Sequence, residues 1–119
     1  MKKSIEFGKV VGPYSPAIIS SSNNLIFVSG QIASDLQADI KTQTNQIMGK
    51  IKEILATVEV NMDNIVKTTI FLTNMSDFAM VNEEYAKYFS EKPPARATIQ
   101  VAGLPLNAKI EIEAIAVKT

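Results

Sequence analysis

Lys109-Ile110-Glu111-Ile112-Glu113-Ala114-Ile115-Ala116-Val117-Lys118 alternates with a period of two, the signature of a β-strand. Ile110, Ile112, Ala114 and Ala116 point one way, and that face is wholly apolar. It belongs under a layer of helices. Glu111, Glu113, Ile115 and Val117 point the other way, and that face is half carboxylate and half aliphatic. Upstream, Leu104-Pro105-Leu106-Asn107 reads as a turn and Arg96 to Val101 as another strand. On that strand Arg96, Thr98, Gln100 and Ala102 share one face, opposite Ala97, Ile99 and Val101. If the two strands pair as a hairpin, Glu111 sits on the strand beside Arg96.

The helical layer is found further back. From Asp39 to Val58, apolar residues fall at Ile47, Ile51, Ile54, Leu55 and Val58, which is helical spacing, and Asp39 is placed to cap the N-terminus. Ile65 to Leu72 is rich in β-branched residues and reads as a strand. A second helix starts near Ser76-Asp77, with Phe78, Val81, Tyr85 and Tyr88-Phe89 as its buried stripe, and ends before Pro93-Pro94. Ala17 to Ser20 and Leu25 to Ser29 form a hairpin about Asn23-Asn24. Gly12-Pro13-Tyr14-Ser15-Pro16 is a stiff loop. The expectation is an α+β fold over residues 1–119 as a single domain: a mixed sheet of about six strands with two helices packed on one face. The other face, mixing aliphatic side chains with charges, suits a subunit interface that holds polar pockets. A homo-oligomer is therefore expected.

Composition narrows the chemistry. The chain has 119 residues, 46% apolar and 20% charged, with 12 Lys+Arg against 12 Asp+Glu. It has neither Cys nor His. That excludes disulfides, thiolate metal sites, a Cys nucleophile, a Ser-His-Asp triad and any imidazole base. Carboxylates, Lys, Arg, Tyr, Ser/Thr and backbone groups remain. Net zero charge argues against non-specific nucleic-acid binding. The basic start is not followed by a long apolar run, so neither a signal peptide nor a membrane span is expected, and the expected location is cytoplasmic. Arg96 is the lone arginine among 11 lysines. A single guanidinium in such a chain points to a task that needs its planar fork.

The run Pro94-Ala95-Arg96-Ala97-Thr98-Ile99-Gln100-Val101-Ala102-Gly103-Leu104-Pro105, followed by Ile110-Glu111-Ile112-Glu113-Ala114-Ile115-Ala116, resembles the signature of the Rid family, the RidA/YjgF-type reactive-intermediate deaminases. Gly12-Pro13-Tyr14-Ser15, Val28-Ser29-Gly30-Gln31 and Asp77-Phe78 with Val81-Asn82, Tyr85 and Tyr88-Phe89 agree, so the resemblance runs through nearly the whole chain. It implies a chorismate-mutase-like subunit, a homotrimer with clefts between subunits, and no cofactor. The implied reaction is hydrolysis of 2-imino acids and their enamine tautomers to 2-keto acids and ammonia. Such substrates arise from pyridoxal-phosphate dehydratases.

The residues suit that chemistry. Arg96 is able to grip a carboxylate through two parallel hydrogen bonds. Glu111 is able to orient or deprotonate the attacking water, or to pass a proton to the leaving nitrogen, and burial that raised its pKa would help both roles. Glu113 competes with it on residue type and face, and it is the match to the family that selects Glu111. Backbone N–H groups near Gly30 and Thr98 are candidates to hold substrate oxygens. Tyr14 is a candidate to close over the substrate, and Ser29 and Asn82 match polar pocket positions. The segment after Gln31 is several residues shorter than the family's usual loop. Thr98 stands where many members have Cys, Glu59 where Gly often ends the first helix, and Lys50 where Asn is common.

Two other functions are carried alongside. A non-catalytic trimer would use the Arg96 pocket to bind 2-keto acids. An RNA-acting protein would need cations and a general acid/base that the composition does not supply.

Overall fold

The computed structural model describes residues 1–10, 12–20 and 23–119. In chain order its elements are β1 (Lys2–Ile5), β2 (Ala17–Ser20), β3 (Leu25–Gln31), α1 (Ile40–Ala56), β4 (Ile65–Leu72), α2 (Phe78–Ala86), β5 (Ala95–Gln100) and β6 (Ile110–Val117). The strands form one six-stranded sheet in the order β1-β2-β3-β6-β4-β5, antiparallel except for the β4–β5 pair.

The alternation in β6 is realised as expected. Ile110, Ile112, Ala114 and Ala116 are buried, while Glu111, Ile115 and Val117 are half-buried and Glu113 is exposed. The apolar face joins α1 through Ile47, Met48, Ile51, Ile54 and Leu55, none of which retains exposed surface, and this makes the core. The Asp39 carboxylate accepts from the Thr42 N–H at 2.8 Å and so caps α1. The turn that follows α1 closes at Glu59 with φ of 61°, a left-handed position where Gly is relaxed and a side chain is strained. The shorter helix α2 lies beside α1. The Glu84 carboxylate ties the two by accepting from Asn45 Nδ2 at 2.8 Å. No helix among the described residues is long and apolar enough to cross a membrane.

Three features depart from expectation. Lys2–Ile5 is a strand, paired antiparallel with β2 at the sheet edge. The second helix stops at Ala86, so Tyr88 and Phe89 pack on the core from beyond its end. The third departure matters most for the site: β5 and β6 are not a hairpin. β5 runs parallel to β4 at the opposite edge, and β6 inserts between β3 and β4. The cause is the helix between β4 and β5. A strand–helix–strand crossover returns the chain in its original direction, which gives a parallel pair.

This topology reassigns the sheet faces. Arg96 pairs with Thr68, which pairs with Ala114, so Arg96 lies on the helix-covered face. Glu111 pairs with Phe71, which pairs with Ile99, so Glu111 lies on the open face. The expected single face carrying both charges does not exist within one chain. The open face instead joins Glu111 and Glu113 to Phe27, Phe71, Ile99 and Ile115. Phe27 and Ile99 are 44% and 45% exposed, large apolar groups on a sheet face that no helix covers.

Candidate active site

The open-face half of the site is built on a bulge. The β3–β6 register slips between Val28 and Gln31, so Ser29-Gly30 carries one residue more than the stretch of β6 opposite. Glu113 is the β6 residue opposite this bulge, and the Glu111 side chain reaches Gly30 from two residues along the strand. A Cβ on Gly30 would fall 2.5 Å from Glu111 Oε2 and 2.7 Å from its Cδ, so the carboxyl group occupies the space that any side chain at position 30 would need. Burial, and secondarily the neighbouring Glu113 charge, push the Glu111 pKa above its ordinary value.

A cleft of about 260 Å³ opens over this carboxyl group. Ser29 and Gly30 form one wall, Tyr14 and Ile32 a second, and Pro105 and Leu106 a third. Ser29 has a more specific task than lining the cleft. Its hydroxyl donates to the Ser15 carbonyl at 2.6 Å, and its N–H donates to the Pro16 carbonyl at 2.9 Å. These bonds pin the 12–16 loop and place Tyr14 at the cleft. Leu106, 67% exposed, and Asn107 hold φ of 55° and 59°. A left-handed backbone at two successive non-glycine residues stores strain at the cleft rim.

The second half lies on the helix-covered face at the β5 edge. The Arg96 guanidinium carbon rests 5.6 Å from the Phe78 ring centroid and 5.1 Å from that of Tyr85. Tyr85 is fixed from behind, because its hydroxyl shares a 2.6 Å hydrogen bond with Thr68 Oγ1. Among the described residues, no carboxylate lies within ion-pair distance of Arg96. The guanidinium is therefore stacked on two rings with no ion-pair partner among the described residues. Asn82 follows Phe78 by four residues and precedes Tyr85 by three, so the three share one face of α2. Among the described residues, Asn82 Oδ1 and, on β5, Thr98 Oγ1 are buried and find no hydrogen-bond partner. Two orphaned buried oxygens beside an unpaired guanidinium mark a polar recess.

The structure thus gathers Tyr14, Ser29, Gly30 and Glu111 into one group and Asn82, Arg96 and Thr98 into another, on opposite faces of the sheet. The aromatic rests under Arg96 carry no sequence signal of a site. Phe78 and Tyr85 carry helical spacing and read as core, and only the parallel course of β5 brings Arg96 over them. Among the described residues, no cluster of three or more carboxylates is placed to hold a metal ion.

Residues 5–118 match the sequence profile of the family described as endoribonuclease L-PSP. The chain is 47% identical over 112 residues to the chloroplastic Reactive Intermediate Deaminase A of Arabidopsis thaliana, covering 89% of this chain and 59% of that one. The structure of YyfA from Yersinia pestis, a protein of the conserved Rid family, superposes with a TM-score of 0.93 at 40% identity, covering 99% of this chain and all of that one. That of Escherichia coli TdcF with bound serine gives 0.90 at 33% identity, covering 98% of this chain and 99% of that one. With the sheet order, the bulge and the stacked arginine in place, these matches settle the family: the chain belongs to the Rid, or endoribonuclease L-PSP, family.

Proposed function

We propose that this protein is a hydrolytic deaminase of reactive 2-imino acids and their enamine tautomers, such as 2-iminobutanoate and 2-iminopropanoate. The observation that carries the proposal is the Arg96 guanidinium, stacked on two rings with no carboxylate partner among the described residues. It is a ready receptor for the substrate carboxylate. A relative named as a reactive intermediate deaminase and another solved with bound serine support the reaction and the ligand class.

In this reading Arg96 fixes the carboxylate and sets the C=N carbon over the open-face cleft. Glu111, ionised, takes a proton from water as its oxygen bonds to the imine carbon. The protonated Glu111 then returns that proton to the nitrogen, giving the carbinolamine; it next takes the hydroxyl proton and passes it to the same nitrogen, so that ammonia leaves as the C–N bond breaks and the carbonyl forms. One imine and one water give one keto acid and one ammonia. Backbone N–H groups near Gly30 and Thr98, with the side chains of Asn82 and Ser29, frame the substrate, and Tyr14 covers it. No step calls for a cofactor.

Glu111 and Arg96 lie on opposite faces of one sheet, so one chain cannot present both to one substrate. The apolar open face with Phe27 and Ile99 supplies the means to join them. We place a second copy against it, bringing its β5 edge to the first copy's Glu111, and a closed ring of three repeats the contact. The competing RNA-acting reading has one arginine and zero net charge to work with.

The test is imine lifetime. 2-Iminobutanoate is made from threonine by a pyridoxal-phosphate dehydratase and trapped with semicarbazide. Added protein is expected to reduce semicarbazone and bring keto acid forward. A folded oligomer that leaves trapping unchanged refutes the deaminase reading and favours the carboxylate-binding one.

A further inference from the structure

A second cleft, of about 370 Å³, adjoins the one over Glu111 and shares Tyr14, Gly30, Ile32 and Leu106 with it. Its volume lies in the range of small-molecule sites, roughly 300–1,000 Å³. Its lining carries two cations, Lys9 from the segment before the Tyr14 loop and Lys50 from α1, and no Asp or Glu among the described residues that line it. Lys50 is half-buried, and its Nζ donates to the Ile32 carbonyl at 2.7 Å. That bond uses one of three ammonium donors, and among the described residues no carboxylate pairs with it. Burial pushes its pKa below the ordinary lysine value, the mark of a cation lacking compensation. A partly desolvated ammonium without a carboxylate partner in the lining of a cleft favours an anionic guest.

We infer that this cleft is a distal-carboxylate subsite, and that the protein prefers imines of dicarboxylic amino acids over those with short neutral side chains. The inference rests on the deaminase reading for the reacting end of the ligand. The imine carbon sits over Gly30 and Glu111, and Gly30, Ile32 and Leu106 are common to both clefts. The substrate side chain leads from one into the other. A chain ending in a methyl group leaves Lys50 uncompensated. A chain ending in a second carboxylate pairs with it, and Lys9 adds charge from the exposed rim.

The experiment has two readouts. In the first, an amino-acid oxidase generates imines from aspartate, glutamate and 2-aminobutanoate, and semicarbazide trapping gives kcat/KM for each. The ratio of dicarboxylic to neutral substrate is expected to exceed one, and to fall about tenfold or more in Lys50→Met and less in Lys9→Gln. Lys50→Arg, which keeps the charge, should restore part of the ratio. In the second, calorimetry compares 2-oxoglutarate with 2-oxobutanoate on the same variants, and the same order is expected in Kd. A ratio near one in the wild type, or one unchanged in Lys50→Met and Lys9→Gln, overturns the inference while leaving deamination intact. If no imine is turned over, the deaminase reading fails, and calorimetry alone decides the subsite: selective 2-oxoglutarate binding lost in Lys50→Met sustains it, and equal binding of the two keto acids rejects it.

Discussion

Arg96→Lys is expected to lower kcat/KM for a 2-imino acid by about 100-fold, although the charge is kept. Lysine offers a point charge where the substrate carboxylate needs two parallel donors, and hydrogen bonds to charged groups contribute roughly 1.5–3 kcal/mol each. It also loses the planar stack on Phe78 and Tyr85 that aims the group. KM should rise because the carboxylate is held less well, and kcat should fall because the C=N carbon is no longer fixed over Glu111. The check is steady-state kinetics beside circular dichroism and sizing. Near wild-type kinetics in a folded Arg96→Lys oligomer would mean that Arg96 does not grip substrate.

Glu111→Gln is expected to lower kcat by about 10²–10⁴-fold while making the protein more stable. Both effects follow from the same burial. The folded state favours the protonated form of Glu111, so its pKa lies above the ordinary value. Whatever stability the neutral group contributes is complete at low pH and is lost as pH rises through the raised pKa. Gln stays neutral throughout. The variant should therefore melt higher by roughly 1–3 °C at neutral pH, an advantage that vanishes below about pH 4. Wild-type kcat/KM should fall on the acid side through the raised pKa, and the residual activity of the variant should lack that limb. Equal melting temperatures at neutral pH, with the acid limb retained in the variant, would transfer the proton-handling role elsewhere, with Glu113 the nearest candidate.

Much of the fold was legible because β6 is so regular. Two-residue alternation over Ile110 to Val117 and helical spacing over Ile47 to Val58 each have one physical reading. Lys2–Ile5 was not legible, since Lys2, Lys3 and Ser4 are exposed and only Ile5 is buried, so the strand owes its existence to pairing with β2 rather than to its own pattern. The placement of β5 was legible in principle. A helix between Ile65–Leu72 and Arg96–Val101 is itself a signal for a parallel pair. Nearness in sequence to β6 favours a hairpin, and a hairpin would carry Arg96 to the open face, whereas the parallel course of β5 puts it under the helices. At the site, residue types identified Arg96 and Glu111. The tie from Ser29 to the Tyr14 loop, the crowding of Gly30 by Glu111 and the aromatic seat of Arg96 depend on contacts between segments far apart in sequence, and one-dimensional spacing does not encode those.

The split of Arg96 and Glu111 between two sheet faces has a genetic consequence. If each site draws its guanidinium from one chain and its carboxyl from the next, the two lesions are complementary rather than additive. Oligomers reassembled from equal parts of Arg96→Lys and Glu111→Gln chains would hold roughly a quarter of their sites intact, and equally a quarter carrying both defects. Two alleles, each severely impaired alone, would rescue one another in the same cell, and a mixture of the two impaired proteins would regain activity on refolding together. Reassembly that restores nothing would place both groups in the same chain's site.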